Sequence, residues 1–332
     1  MRFLRRVLNM LVVLLFVSLL MFVLVRVLPG DPVGAALGDG ATKEQVEKFR
    51  VQMGMDKPLQ VQYLAYLRGL LDGNFGVSLM EPRDVGTIVR ERLPATLELV
   101  LCSLALAIVV GVPLGILAAT HRNGPVDQAS RLWSLTGVSF PNFWAALMLQ
   151  LVLGAALSLV PITGRITGPP PEHITGLYLV DALLSGNFKA MGDAARHLIT
   201  PTIVLAVGPL AQITSMIRSS MLDELAKPYV GFSQAVGMPR FLINYKYVLR
   251  NAFSSTLTLI GFLFPLMIGG AFVVEKVFAW PGVARFGADA ILANDYNAIV
   301  GVTLVICLFV VVVNFVTEEL YVALDPRIRL ER

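Results

Sequence analysis

An all-α polytopic membrane protein is the fold class this sequence predicts, and three observations predict it. Hydrophobic residues fill 56% of the 332 positions, charged residues only 15%, and the mean hydropathy is +0.71. All three values lie outside the range of soluble domains. Six runs, 7–28, 97–119, 141–160, 198–217, 253–274 and 298–320, are long enough to cross about 30 Å of hydrocarbon at about 1.5 Å per residue. Finally, these runs are continuously apolar over about twice the length of the alternating segments from which a spanning β-barrel is built, which excludes a barrel.

The first run follows Arg2, Arg5 and Arg6. It is longer than a signal-peptide core and no small-x-small cleavage site follows it, so it reads as a retained signal anchor. Residues 29–96 are too many for a connector and too polar for lipid, and they predict a small external subdomain between the first two spans. Within it, Thr42 with Gln45 three residues on forms a capping box that opens a helix through Met53. A second helix is predicted over 59–71, where Leu59, Tyr63, Tyr66, Leu67 and Leu70 recur at three- and four-residue steps. Gly73, Gly76 and Pro82 then mark a loop.

The remainder, 97–332, is a helical core with two further external stretches. Insertion 162–197 is rich in Gly and Pro over 164–171 and is expected to pack over the external mouth. Stretch 275–297 contains Phe278-Ala279-Trp280-Pro281-Gly282, readable either as an interfacial aromatic anchor or as a functional turn. Pro113, Pro201, Pro209 and Pro265 interrupt the predicted helices, and each removes a backbone hydrogen bond. Gly111 and Gly115 have the spacing that lets two helices approach closely.

Lys and Arg are about twice as dense in the N-terminus, 121–135, 218–252 and the tail as in the segments of opposite side. Both termini are therefore expected to be cytoplasmic, and the net charge of +4 follows from topology with no nucleic-acid footprint. Cys102 and Cys307 lie in apolar runs and imply neither disulfide nor zinc site. The spans are almost free of ionisable groups: Arg26, Glu98, Glu318 and Glu319 sit near span ends, where they are expected to reach water. Gln150, Gln212 and Asn314 lie deeper, with hydrogen-bonded packing as the default role and contact with substrate left open for at least one.

This pattern argues against a proton-driven carrier. An intramembrane enzyme would need a nucleophile and base or a metal set within the spans, and the lack of any His-x-x-x-His or acidic pair placed to serve argues against it. There is also no Gly-x-x-x-x-Gly-Lys-Ser/Thr phosphate loop, so any ATP must be hydrolysed by a partner. The loop 218–252, carrying Lys227, Arg240, Lys246 and Arg250 around a short apolar helix, has the length to receive that work. An amphipathic helix lying on the lipid surface is the rival reading.

Several motifs recur in one order across the chain. They are Leu28-Pro29-Gly30-Asp31-Pro32, Gly73-Asn74-Phe75-Gly76-Val77-Ser78, Ala95-Thr96-Leu97-Glu98-Leu99, Arg218-Ser219-Ser220-Met221-Leu222, Ala235-Val236-Gly237, Leu249-Arg250-Asn251-Ala252, Phe278 to Gly282, Asp295-Tyr296 and Asp325-Pro326-Arg327-Ile328-Arg329. In these motifs the chain resembles the inner-membrane permease subunits of ATP-binding-cassette importers, in the dipeptide/oligopeptide/nickel group. The resemblance implies the type I (MetI-like) permease fold with six transmembrane helices. It also implies that 229–245 forms the coupling helices that dock into the ATPase, through Tyr229, Phe232, Ala235, Val236, Gly237, Met238, Arg240 and Phe241. Gly237 is able to take the left-handed turn between two short helices. Where the family often has a basic residue before that glycine, this chain has Val236, so the contact is expected to be more apolar.

Arg218, Arg250, Asp325 and Arg327 would support the cytoplasmic face, with solvated positive-inside charge as the alternative. Pro29, Gly30, Asp31 and Pro32, with Phe278, Trp280, Pro281 and Gly282, would face the external docking site or gate, with a structural turn as the alternative. The implied partners are a homologous permease in a heterodimer, two ABC ATPase subunits that bind ATP and Mg, a periplasmic solute-binding protein and the bacterial inner (plasma) membrane. The chain itself would hold no cofactor or metal. The expected cargo is a dipeptide or short oligopeptide, with glutathione or a nickel chelate as alternatives. An ATP-independent channel or secondary carrier is the alternative of another class.

Overall fold

The structure, a computed structural model, describes residues 2–27, 44 and 57–324. The helix expected after Thr42, the residues Pro29, Gly30, Asp31 and Pro32, and the tail with Asp325 and Arg327 lie outside the described residues. Among the described residues the secondary structure is helical apart from an isolated bridge between Val77 and Asp84. The helices are α1 (Arg2–Val27), α2 (Leu59–Leu71), α3 (Val85–Thr120), α4 (Pro125–Ser139), α5 (Asn142–Leu149), α6 (Tyr178–Leu184), α7 (Phe188–Leu225), α8 (Pro228–Ala235), α9 (Leu249–Val277), α10 (Val283–Leu292) and α11 (Tyr296–Leu324). A π-helical stretch, Gln150–Ala156, extends α5, and another, Ile243–Val248, leads from a short turn of helix at Arg240–Leu242 into α9.

Five helices are long and apolar enough to span: α1, α3, α7, the continuous Arg240–Val277 and α11. A sixth span results if α4 and the helix Asn142–Ala156, bent by 101° to each other, count as one. The third span differs from its sequence expectation. Its helix ends at Ala156 rather than reaching 160, and at about 1.5 Å per residue it is too short to cross alone. The bend sits at Ser139-Phe140-Pro141, where Phe140 takes an extended ψ of 126°, as a residue before proline does.

The chain divides into two compact units, 94–282 with 312–332, and 1–93 with 283–311. This division differs from the 29–96 boundary read from sequence, because 283–311 joins the N-terminal segments and the break falls inside α3 at Pro94. In the larger unit α7 is the central element, packed on α4, α6 and α9. Its Ile213, Ile217 and Met221 are fully buried with Ala107 of α3 and Leu263 of α9. The glycine pair brings α3 against it: a Cβ at Gly111 would lie 3.1 Å from the Leu210 carbonyl, and one at Gly115 would lie 2.8 Å from that of Thr214. These glycines are spaced for backbone contact, as the sequence predicts.

In the smaller unit α2 occupies the residues predicted for it, and the half-buried Tyr63 and Tyr66 pack on Phe22 of α1 at ring separations of 5.2 and 5.7 Å. Ser18 and Tyr63 share a 2.9 Å hydrogen bond. Val85, Ile88 and Val89 of α3 close a core with Val283, Phe286 and Ala290 of α10 and Val302 of α11. The buried Asp295 caps α11 by accepting from the Ala298 N–H at 3.1 Å, and its other oxygen accepts from the Ser78 hydroxyl (2.5 Å) and the Leu79 N–H (2.7 Å). One carboxylate therefore serves as helix cap and as loop anchor. Asp295→Ala is expected to lower stability by about 2–4 kcal/mol, and Asp295→Asn by less. Thermal unfolding of the detergent-solubilised protein measures both.

Candidate functional site

The loop between α7 and α9 contains no charged residue from Pro228 to Pro239, yet it is tightly held. Val230 of α8, with Ile243 and Val248 after it, is buried in the same cluster as Ile213, Ile217 and Met221 of α7, and Met238 packs against that cluster. Glu224, at the end of α7, pairs with Lys227 and accepts from the Tyr229 hydroxyl at 3.0 Å. Burial, and then the Glu224 carboxylate beside it, raise the Tyr229 phenol above its ordinary pKa, so it remains a donor at neutral pH. Gly237 ends the short helix with φ +80° and its N–H bonds the Gln234 carbonyl. That left-handed conformation favours glycine, as the sequence predicts.

This anchoring leaves a second apolar face bare. Phe232 is 70% exposed, Val236 60% and Phe241 72%, and Phe241 stacks on Tyr245 with ring centroids 4.6 Å apart. Ala235, Gly237 and Arg240 are also exposed, whereas Tyr229 and Met238 turn inward. The second of the two short helices expected from the sequence is no separate element. Arg240–Leu242 continues through the π stretch into α9, because nothing breaks the helix after Pro239.

Arg218, two turns before the end of α7, is bound to a fully buried carboxylate. Its Nε and Nη2 both donate to Asp127 of α4, the latter at 3.0 Å, and Asp127 also accepts from the Asn123 N–H (2.9 Å) and from Arg131 (3.0 Å). Arg250 is exposed.

A second cluster of buried ions surrounds Glu98 of α3. Its carboxylate accepts from Arg165 at 3.1 and 2.5 Å and from the Leu179 N–H at 2.7 Å. The Arg165 guanidinium lies 3.7 Å from the Tyr178 ring centre and donates to the Gly176 carbonyl at 2.8 Å. Asp181 holds that turn through the N–H groups of Thr175 (2.7 Å) and Gly176 (2.8 Å) and the Thr175 hydroxyl (2.6 Å). Burial alone would raise the Asp181 pKa, but these donors outweigh it and hold the carboxyl below its ordinary value. Nearby, Trp280 is buried and donates its indole N–H to the Ala95 carbonyl at 2.9 Å, while the Phe278 carbonyl accepts from the Gly164 N–H at 2.9 Å. Glu275 is fully buried and accepts from Thr96 at 2.5 Å, and a Cβ on Gly282 would collide with its carboxylate.

Two family models match this architecture. Residues 111–330 match the model described as the binding-protein-dependent transport system inner membrane component, and residues 1–100 match the N-terminal model of the same systems. The chain belongs to this family. Among its relatives, a probable D,D-dipeptide transport system permease of Escherichia coli K12 is 38% identical over 94% of this chain and 92% of its own. A dipeptide transport system permease of the same strain is 35% identical over 94% of each. A di/tripeptide transport system permease of Pseudomonas aeruginosa is 38% identical over 99% of each. A structure of the MetNI methionine ABC transporter in an inward-facing conformation shares the fold, with TM-score 0.54 at 15% identity over 72% of this chain and 97% of that one. The chain is thus an ABC importer permease of the inner membrane, with the type I fold that the sequence motifs imply.

In this permease three carboxylates stand in surroundings that differ from their sequence expectation. Glu98, expected to reach water from a span end, is instead buried on Arg165, because the insertion 162–177 folds back over it. Asp127 and Glu275 were read as loop residues, and both are fully buried. Glu275 directly follows the apolar run 253–274, whereas Asp127 has no local signal of burial. Trp280 and Phe278 are packed inside, so the interfacial-anchor reading does not hold, and of that motif Ala279 and Pro281 are exposed.

Asp127→Ala strands Arg218 and is expected to lower stability by about 3 kcal/mol. Arg131→Ala removes only a half-exposed i,i+4 partner and should cost under about 0.5 kcal/mol. Parallel thermal unfolding of the two variants checks the contrast. The depressed pKa of Asp181 sets a sign as well: its contribution is complete above the unfolded carboxylate pKa and lost as pH falls through the lower folded value. The stability gap between wild type and Asp181→Asn is therefore expected to shrink on acidification from pH 7 towards pH 3.

Proposed function

We propose that this permease imports dipeptides or short oligopeptides, paired with a homologous permease in a heterodimer. Two ATPase subunits below would bind the ATP and Mg, and a periplasmic solute-binding protein would deliver the cargo. Both termini are cytoplasmic in this reading, which puts Phe232, Val236 and Phe241 on the ATPase side. The observation that carries the reading is that loop: apolar on its outer face, fixed to α7 on its inner face and free of charge from 228 to 239. Burying each of the three exposed side chains contributes about 2 kcal/mol, enough for a contact that forms and releases. The activities by which the relatives are named, dipeptide and di/tripeptide transport, support the cargo.

ATP binding would draw the ATPases together and pull on α8. Because Val230, Ile243 and Val248 lie in the core of α7, that pull is delivered to a spanning helix and does not dissipate in the loop. Alternating access then follows from tilting of the helices that carry Pro201, Pro209 and Pro265.

Gly237→Val places a β-branched residue at φ +80°, a strain of about 2 kcal/mol or more. Uptake of labelled dipeptide into proteoliposomes holding the full complex and its binding protein is expected to fall at least tenfold, with membrane expression retained. Normal uptake by that variant would remove the coupling assignment. Uptake by the chain without ATPase would favour a channel or carrier, and a preference for glutathione or a nickel chelate in the same assay would replace the peptide cargo.

A further inference from the structure

Two cavities open in the larger unit along one strip of helix surface. One, of 360 Å³, lies between α4, α7 and α9 beside Gly208, Pro209 and Gly270. The other, of 730 Å³, lies chiefly between α4 and α7 beside Ser134, Ser215 and Ser219. Val138 and Gln212 line both, so the two adjoin as one groove. Gln212, Ser215 and Ser219 follow one another at steps of three and four along α7 and share a face.

Four polar side chains in this groove are unspent. Ser130, Ser139 and Thr214 donate their hydroxyls to carbonyls of their own helices, Thr214 also facing that of Gly111 in α3. Gln212, Ser134, Ser215 and Ser219 have no side-chain hydrogen bond among the described residues. Hydrocarbon cannot satisfy a carboxamide, so a bare Gln212 within a spanning helix requires water or a polar solute opposite it. Pro209 adds an acceptor, since without its N–H the carbonyl of Leu205, another lining residue, has no helical donor. The groove is also kept open: a Cβ on Gly208 would meet nothing within 4 Å. Alanine is the better helix former, and the smaller residue leaves its space to the cavity.

Charge is withheld from the same surface. No carboxylate or histidine lines either cavity among the described residues, and the two arginines at the wider one, Arg131 and Arg218, are both bound to Asp127. A peptide bond presents one N–H and one C=O, which a carboxamide and a row of hydroxyls match in either direction.

We propose that this groove is this chain's share of the solute path, and that Gln212 with Ser134, Ser215 and Ser219 reads the neutral amide backbone of a short peptide and not its charged ends. The proposal rests on the peptide-import reading. Neutral contacts common to every peptide bond bind weakly and with little regard for side chains, which lets a solute enter and also leave.

The test uses the complete complex with its binding protein in proteoliposomes and labelled dialanine as cargo. Gln212→Leu is expected to cut ATP-driven uptake about tenfold at saturating peptide, and Gln212→Asn to recover part of the loss. In a background with Cys102 and Cys307 replaced by alanine, Ser215→Cys is expected to react with a water-soluble thiol reagent and to react more slowly while peptide is being transported. If the wild-type complex moves no peptide, the import reading itself fails. If it moves peptide and Gln212→Leu matches it, the assignment of the groove is overturned while the import reading stands. Cross-linking of Ser215→Cys to the second permease, with no reaction towards the soluble reagent, would likewise overturn it by making the groove a packing surface between subunits.

Discussion

Asp127 is the constraint on which the larger unit depends. Its carboxylate is fully buried, and every group it accepts from, the Asn123 N–H, Arg131 and the fork of Arg218, lies on or beside α4 or far along α7. A buried carboxylate stripped of its cation costs several kcal/mol, far more than α4 and α7 could recover by sliding over each other. The start of α4 and the last turns of α7 are therefore expected to move as one piece. The loop that follows is fastened to those turns of α7 by Val230, Ile243 and Val248, and so belongs to the same piece.

The polar chemistry is distributed accordingly. Around Glu98 charge is enclosed and saturated: Arg165 has a carboxylate, a carbonyl and an aromatic face, and Asp181 fixes the turn that presents the carbonyl. Such a cluster is rigid because opening it exposes several mutually dependent groups at once. The groove along Gln212 has the opposite character: the side chains of Gln212, Ser134, Ser215 and Ser219 have no hydrogen-bond partner among the described residues, and space is left where Gly208 lacks a side chain. One region resists rearrangement, and the other is left with hydrogen-bonding capacity to exchange.

The extent to which this was legible in the sequence followed the range of the interactions. Patterns closed within a few residues were readable: α2 was predicted over the residues it occupies, the glycine pair of α3 packs where its spacing indicates, and Gly237 takes the turn its identity permits. Where a partner lies far along the chain, local pattern misled. Glu98 looked solvated because Arg165 is 67 residues away, and Asp127 looked like loop charge because Arg218 is 91 residues away. Helix ends failed for a related reason: α3 and α7 run about ten residues beyond their apolar stretches, through polar segments that tertiary contacts keep helical. The division of the third span into two bent pieces had a local signal in Phe140-Pro141, but hydropathy alone does not weigh a proline at a span end.

In the proposed function the loop between α7 and α9 has protein and not lipid as its outer neighbour. A helix lying on a bilayer is held by one apolar face and needs a charged, solvated face opposite. α8 has no charged residue at all: Val230 is spent inward on the core, and Phe232 with Val236 beyond its end faces outward. A segment apolar on both sides gains nothing from water on either, and one side is already covered by its own chain. In that reading the outer side is completed by a second apolar surface that also tolerates the exposed backbone turn at Gly237. A shaped groove on a folded partner meets both requirements, and the nearest basic groups, Lys227 and Arg240, flank the uncharged stretch at its two ends, where the rim of such a contact would lie.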